Sequence, residues 1–302
     1  MDTRKFGFKV GHKTDVENGT GCTVFIFENG ARASVSVRGS APASHETDLL
    51  RPGKLIREIH GIVLTGGSAY GLESAAGVMK YLEEQGIGYD TGAALVPLVP
   101  AAGIYDLKYQ SSCVRPTKEW GYEAAKSASY EVEEGILGAA TGATVGKLLG
   151  MEHASKTGLG ISEIDIGGYH ILAFVVVNAL GEIIDETGKI VAGVRGDSGF
   201  VPSFDLLEKI DFKQVRMGEN TTLGVVVTDF PLSKEALSRM AEIGHNGIVR
   251  AVRPSHTPFD GDIIFAVSTS KDEPEDEPYK LLKLYAFTEL AVQRAILDAV
   301  KI

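Results

Sequence analysis

Apolar residues along this chain of 302 residues fall into short runs rather than long helical stretches. Ile59–Leu64, Ile171–Val177 and Ile263–Val267 are β-branched runs of strand length, the pattern of strands buried on both faces. Another such run opens at Thr221 and passes through Val225–Val227 to Thr228-Asp229. Thr23–Glu28 and Ala31–Val37 flank Asn29-Gly30, the strongest short-range hairpin signal, so two strands and a tight turn are expected there. Val96–Tyr105 (VPLVPAAGIY) is apolar but carries Pro97 and Pro100, which fits a buried irregular wall better than a central strand.

Helical spacing is confined to four places. Leu72–Gln85 has Leu72, Ala76, Val78, Met79 and Leu82 apolar with Lys80, Glu83 and Glu84 polar, and Gly86 is a natural stop. Trp120–Tyr130 reads as a short helix. Ser233 is the expected N-cap of a helix running to Val252, closed by Arg253-Pro254. A last long helix starts near Pro278 and carries a polar stripe of Glu289, Gln293, Asp298 and Lys301. Asp185–Val191 reads as a loop or edge strands, Val201–Gln214 as a surface connector, and Lys271–Glu277 as an acidic loop. Strands and helices in blocks, with few clean β-α-β units, predict an α+β layered fold. No linker divides residues 1–302, so a single domain is expected.

Composition narrows the function. Hydrophobic content of 44% with 23% charge is that of a globular protein. A net charge of −10 argues against a nucleic-acid or anionic-membrane surface as partner. Only Cys22 and Cys113 are present, without CxxC or a Cys/His cluster, so neither a disulfide framework nor a structural zinc site is expected. The opening MDTRKFGFKVGHKTD lacks an apolar signal core, and no apolar run reaches the ~18 residues of a membrane span. A cytoplasmic protein is expected.

Two glycine-rich segments come close to known motifs and miss. Gly66-Gly67-Ser68-Ala69-Tyr70 has Tyr70 where a nucleophile elbow needs its last glycine, and it breaks the dinucleotide spacing. Gly135–Lys147 ends in Gly146-Lys147, but Thr141 stands where a P-loop starts with glycine and Leu148 replaces the magnesium-binding hydroxyl. What remains is a turn that delivers Lys147.

The candidate chemistry lies at Asn220-Thr221-Thr222. Threonine is a good strand former, and two of them could simply begin a strand. The alternative is that the Asn220–Thr221 bond is cut by the protein itself, by an N→O acyl shift, leaving Thr221 as an N-terminal nucleophile. Its freed α-amine, with a pKa of about 7.7–8.0, would be its own base. Asp260 and Asp262 flank one glycine at the mouth of a strand, where alternation aims both carboxylates at one site. Lys147 and Asn178 are candidate oxyanion donors. A metal reading would add His256, but Pro258 prevents a simple helical face for His256 and Asp260. No metal or other cofactor is expected.

Taken together, VRGSAPASHETDLL, GIVLTGGSAYGLESAAGVMKYLEEQGIGYDTG, VPLVPAAGIYDL, GAATGATVGK, NTTLGVVVTD and HTPFDGDIIFAVST resemble the self-processing P1-type peptidases (peptidase S58). That family holds the L-aminopeptidase/D-amidase-esterases, the β-aminopeptidases and the nylon-oligomer hydrolases. The resemblance implies an αββα sandwich similar to N-terminal nucleophile hydrolases. It also implies cleavage between Asn220 and Thr221 into an α chain 1–220 and a β chain 221–302, and a homotetramer of αβ units. Aminopeptidase members carry Ser-x-Glu after the nucleophile. Asp260-Gly261-Asp262 instead looks like the nylon-oligomer branch, whose further site residues map to Tyr105, Lys147 and Asn178. The implied substrate is a short peptide or amino-acid oligomer. The rival readings are a self-processing acyltransferase similar to the ornithine acetyltransferases, and an uncut binding protein of the same fold.

Overall fold

A computed structural model describes residues 1–209 and 219–302. Nine strands form its central sheet. In chain order they are β1 (Lys9–Asp15), β2 (Thr20–Val37), β3 (Ala43–His45), β4 (Glu58–Thr65), β5 (Ala101–Gly103), β6 (Leu159–Ile166), β7 (Tyr169–Asn178), β8 (Thr221–Thr228) and β9 (Ile263–Ser268). Across the sheet the order is β6-β7-β8-β9-β2-β4-β5-β3, with β1 also on β2. Helices are α1 (Ser74–Glu84), α2 (Lys118–Lys126), the short α3 (Ser203–Leu207), α4 (Lys234–Ala251) and α5 (Pro278–Asp298).

The length of β2 joins two halves of this sheet. Its Thr20–Ile26 segment pairs with β1 and its Arg32–Val37 segment with β9. The halves face each other across an apolar interior, where Phe25 of β2 and Phe8 meet Phe174 of β7 at ring separations of 5.2 and 6.0 Å. Strand alternation then divides the side chains. On β7, Leu172, Phe174 and Val176 enter this interior, whereas Ile171, Ala173, Val175 and Val177 pack with residues of α4 and α5 such as Leu237, Met240, Val292 and Ile296. On the other half, Val24, Ile26 and Val63 turn toward Val78 and Leu82 of α1 and Ala124 of α2. Helices, sheet, sheet and helices make the expected αββα sandwich. Burial on both faces is why these strands read as unbroken apolar runs.

The helix signals hold at their ends. Ser233 Oγ accepts from Ala236 N at 3.1 Å, capping α4, and Glu277 caps α5 ahead of Pro278. Gly86, at φ +71°, follows the end of α1. Other expectations are corrected. Asn29-Gly30 makes no hairpin, because β2 runs straight through it with an irregularity in its register against β4. A type I′ turn needs two residues at positive φ. Here Gly30 alone of the pair has one, at +72°, which bulges the strand without reversing it. Val96–Tyr105 does contain a sheet strand: β5 begins after Pro100 and pairs with β4 and β3. Its prolines precede the paired residues, so no ladder bond is lost to them. The helix expected over Trp120–Tyr130 stops at Lys126, because Ser129 turns to bridge Val10 of β1. Within Val201–Gln214, residues 203–207 are α3, while residues 210–214, like Met217 and Gly218 ahead of the Thr221 strand, lie outside the described residues.

No helix among the described residues is long and apolar enough to cross a membrane.

Candidate active site

Three strand ends converge on Thr221. It is the first residue of β8, and its Cα partner on β7 is Asn178, the last residue of that strand. On its other side β8 runs parallel to β9, with Leu223 opposite Ile263. Extending that register backward sets Asn220 beside Asp260. The Asp-Gly-Asp turn therefore lies alongside the Asn220–Thr221 peptide.

The Asn220 carbonyl oxygen is gripped from two directions. The Thr221 hydroxyl donates to it at 2.5 Å and the Gly261 N–H donates to it at 2.8 Å. The second contact is an ordinary rung of the parallel ladder, placed so that it polarises one carbonyl. Gly261 has to be glycine, since a Cβ there would stand 2.8 Å from the Ala41 carbonyl oxygen and 2.9 Å from the Thr221 hydroxyl. Thr221 is only 3% exposed.

Both aspartates are buried, but neither reaches the Thr221 hydroxyl, which is committed to the Asn220 carbonyl. Asp262 Oδ1 accepts the Thr222 N–H at 2.6 Å, and its Oδ2 accepts His256 Nδ1 at 2.7 Å and the His256 N–H at 3.2 Å. Asp260 Oδ2 accepts the Thr257 N–H at 2.7 Å. Burial, then the neighbouring Asp262 charge, pushes the Asp260 carboxyl up to about 6.

Lys147 and Asn178 form one unit. Lys147 Nζ donates to Asn178 Oδ1 at 2.7 Å, to the Asn178 carbonyl at 2.8 Å and to the Glu219 carbonyl at 3.3 Å. Asn178 Nδ2 donates to the Tyr105 carbonyl at 3.0 Å and to the Glu219 carbonyl at 3.4 Å. Burial draws the Lys147 ammonium down to about 7, against the opposing pull of Asp260 and Glu219. Lys147 also lines a narrow cleft with Tyr105, Lys108, Tyr109, Thr144 and Glu219. Tyr105 enters through its backbone carbonyl as well as that cleft wall. Glu219 closes the cleft, its carboxylate paired with Lys108 at 2.6 Å.

All seven residues singled out in the sequence (Tyr105, Lys147, Asn178, Asn220, Thr221, Asp260 and Asp262) are thus gathered around one peptide bond. Sequence reasoning missed the Gly261 N–H, because a backbone donor has no sequence signal of its own. It also saw His256 only as a candidate metal ligand. Its place just ahead of Asp260-Gly261-Asp262 was the available clue to a polar partner for that turn. Among the described residues no group of three or more His, Cys, Asp and Glu is placed to hold a metal ion.

Residues 6–302 match the family model of peptidase family S58. The chain belongs to this family. It is 36% identical over 271 residues to a 6-aminohexanoate-oligomer endohydrolase of Kocuria sp., a match covering 88% of this chain and 74% of the relative. It is 35% identical over 280 residues to an uncharacterized aminopeptidase of Mycobacterium tuberculosis, covering 87% of this chain and 79% of the relative. Among solved structures, the L-aminopeptidase D-Ala-esterase/amidase of Ochrobactrum anthropi, described as a variant of the Ntn hydrolase fold, superposes with a TM-score of 0.71 at 19% identity. That likeness covers 97% of this chain and 83% of that one. A Burkholderia β-aminopeptidase superposes with a TM-score of 0.68 at 20% identity over 99% of this chain and 91% of that one. These two likenesses concern the fold, and they agree with the four layers of this S58 protein.

Proposed function

We propose that this S58 protein hydrolyses amide bonds of short peptides or amino-acid oligomers and activates itself by cutting its own Asn220–Thr221 bond. One observation carries the reading: the Asn220 carbonyl is held between the hydroxyl that would attack it and the Gly261 N–H that would steady its oxygen. Thr221 Oγ bonds to the Asn220 carbonyl carbon, its proton is carried to the Thr221 nitrogen that is about to leave, and negative charge collects on an oxygen already facing the Gly261 donor. The C–N bond then breaks, and the nitrogen leaves as the protonated α-amine of Thr221. Water resolves the ester, giving the Asn220 carboxylate and a free Thr221 hydroxyl.

The products are an α chain 1–220 and a β chain 221–302 of one domain. Substrate reaches Thr221 only after the cut, since the uncut hydroxyl is buried and bonded to its own chain. In the mature site the α-amine, with a pKa of about 7.7–8.0, takes the Thr221 proton. Asp260 and Asp262 orient the nucleophile, and Lys147 with Asn178 stabilises the oxyanion of the substrate. Tyr105 borders the bound acyl part. The Kocuria relative's name supports an oligomer of ω-amino acids as one substrate, and the aminopeptidase names support short peptides. No cofactor enters this scheme. We place the enzyme in the cytoplasm as a homotetramer of αβ units.

Intact-mass analysis of purified protein tests the proposal. Wild type gives two chains, the smaller starting at Thr221, and Thr221→Ala gives one uncut chain without activity on amino-acid p-nitroanilides. A wild type that stays whole while hydrolysing such substrates would overturn self-activation. Transfer of the acyl group to an added amine in preference to water would move the enzyme to the acyltransferase class.

A further inference from the structure

Self-cleavage asks for more than a hydroxyl near a carbonyl, because the strand start has to be held while its first peptide bond breaks. Thr222 follows the nucleophile, and its N–H is donated at 2.6 Å to Asp262 Oδ1. Asp262 is 2% exposed. A carboxylate on a Cβ rotates freely unless both oxygens are engaged, and the other oxygen has two donors, both from His256. The backbone N–H and Nδ1 of that one residue close on Oδ2 at 3.2 and 2.7 Å.

Such a double grip needs the ring folded back over its own backbone, and His256 sits at φ +54°, a conformation uncommon for a side-chain-bearing residue. The ring packs on that of His245 at 4.9 Å, with His245 Nε2 tied to the Ser36 carbonyl at 3.1 Å. His256 Nε2 is buried and has no hydrogen bond among the described residues. The ring's one polar contact is therefore with Asp262, and nothing else in the site explains the strain.

We propose that His256 is a positioning residue for self-cleavage: it fixes the Asp262 carboxylate, which in turn fixes the Thr222 N–H and so the Thr221 hydroxyl against the Asn220 carbonyl. The inference rests on the reading of Thr221 as the self-cleaving nucleophile.

The amide nitrogen of asparagine falls close to the position of histidine Nδ1, and asparagine tolerates positive φ. Glutamine would carry its amide nitrogen to the Nε2 side instead. The experiment follows the appearance of the fragment starting at Thr221 by intact mass, in freshly purified wild type, His256→Ala, His256→Asn and His256→Gln. Circular dichroism checks that each is folded. Cleavage slows about 10- to 100-fold in His256→Ala and in His256→Gln. It returns to within about threefold of wild type in His256→Asn, because the asparagine restores the single contact the proposal names. Once cut, the alanine variant shows a lower kcat on an amino-acid p-nitroanilide with unchanged KM. Wild-type cleavage rates in folded His256→Ala overturn the inference, as do equal rates in His256→Asn and His256→Gln; the latter comparison decides even where the alanine variant fails to fold. A wild type that is never cut sinks the reading of Thr221. A wild type that is cut but indifferent to residue 256 sinks only the role of His256.

Discussion

Replacing Lys147 by methionine should separate function from stability. The folded protein holds this ammonium at about 7 against an ordinary 10.5, mainly because burial strips its hydration. At about 1.36 kcal/mol for each factor of ten, that difference of about 3.5 amounts to roughly 5 kcal/mol against the charged form. Lys147 as a whole is only half-buried, and screening reduces the penalty to roughly 2–3 kcal/mol. Against it stand the three hydrogen bonds from Nζ, worth about 1 kcal/mol each. Their loss leaves few orphans. Asn178 Oδ1 keeps the Thr144 N–H at 3.1 Å, and the Glu219 carbonyl keeps Asn178 Nδ2.

The two effects nearly cancel, so Lys147→Met should unfold within about 1 kcal/mol of wild type, a Tm change of a few degrees. The balance depends on pH with a definite sign. Below pH 7 the lysine is charged both folded and unfolded, and the full burial penalty weighs on wild type. Between pH 7 and 10.5 the folded state sheds its proton while the unfolded chain keeps it, so wild-type stability rises with pH across that window. Methionine therefore compares best with wild type at pH 6 and worst at pH 10. Under the proposed role activity moves differently, because removing a donor from beside a developing oxyanion costs about 10²- to 10³-fold. Thermal unfolding at pH 6 and pH 9, with p-nitroanilide turnover, measures both. A variant with normal turnover refutes the role of Lys147 in the site, and one destabilised by more than about 3 kcal/mol refutes the balance worked out above.

Asp260, held up at about 6, is protonated when folded but ionised when unfolded between pH 3.8 and 6, so it makes stability fall as pH rises across that range. Asp260→Asn should flatten that slope in denaturant titrations at pH 4, 5 and 6, and should slow turnover; an unchanged slope would show that the carboxyl titrates normally. Gly39→Ala places a Cβ 2.2 Å from Asp262 N and 2.4 Å from Gly261 Cα, both backbone atoms. It should destabilise the protein by about 3 kcal/mol and slow the cut, read from denaturant midpoints and intact mass; wild-type values for both would mean that the Asp-Gly-Asp turn yields freely.

The layered fold was legible in the sequence because strands buried on both faces leave unbroken β-branched runs, as Ile171–Val177 does. The join between the two half-sheets was hidden. Whether Asn29-Gly30 reverses the chain or only bulges it depends on which strands claim the flanking residues, and while β1 claims one flank from just upstream, β9 claims the other from a distant part of the sequence. The proposed site was legible as residue types, Thr221, Asp260, Asp262, Lys147 and Asn178, since each belongs to a recognisable block. Their wiring was not. Nothing in the order of residues says that Asp262 would hold the Thr222 N–H and His256 in place of the Thr221 hydroxyl, because that depends on the register of β8 against β9.

That register also decides what the proposed cut would do to the fold. The Asn220–Thr221 bond lies at the first rung of β8, so breaking it removes no pairing from the strand's interior. Leu223–Thr228 stay bonded to β9, and Thr222–Thr228 stay opposite Val177–Ile171 of β7. All eight residues of β8 are buried, and α4 and α5 of the same fragment pack on the sheet through Leu237, Met240, Val292 and Ile296. Each such apolar side chain contributes about 1.5–3 kcal/mol when buried, so the four on β8 and these four on the helices sum to about 12–24 kcal/mol, enough to offset the association entropy of about 4–15 kcal/mol that two separate chains must meet. The two fragments should therefore elute as one species in gel filtration and part only in denaturant. Fragment 221–302 separating from 1–220 under native conditions would mean that the peptide bond itself, and not the sheet, holds β8 in place.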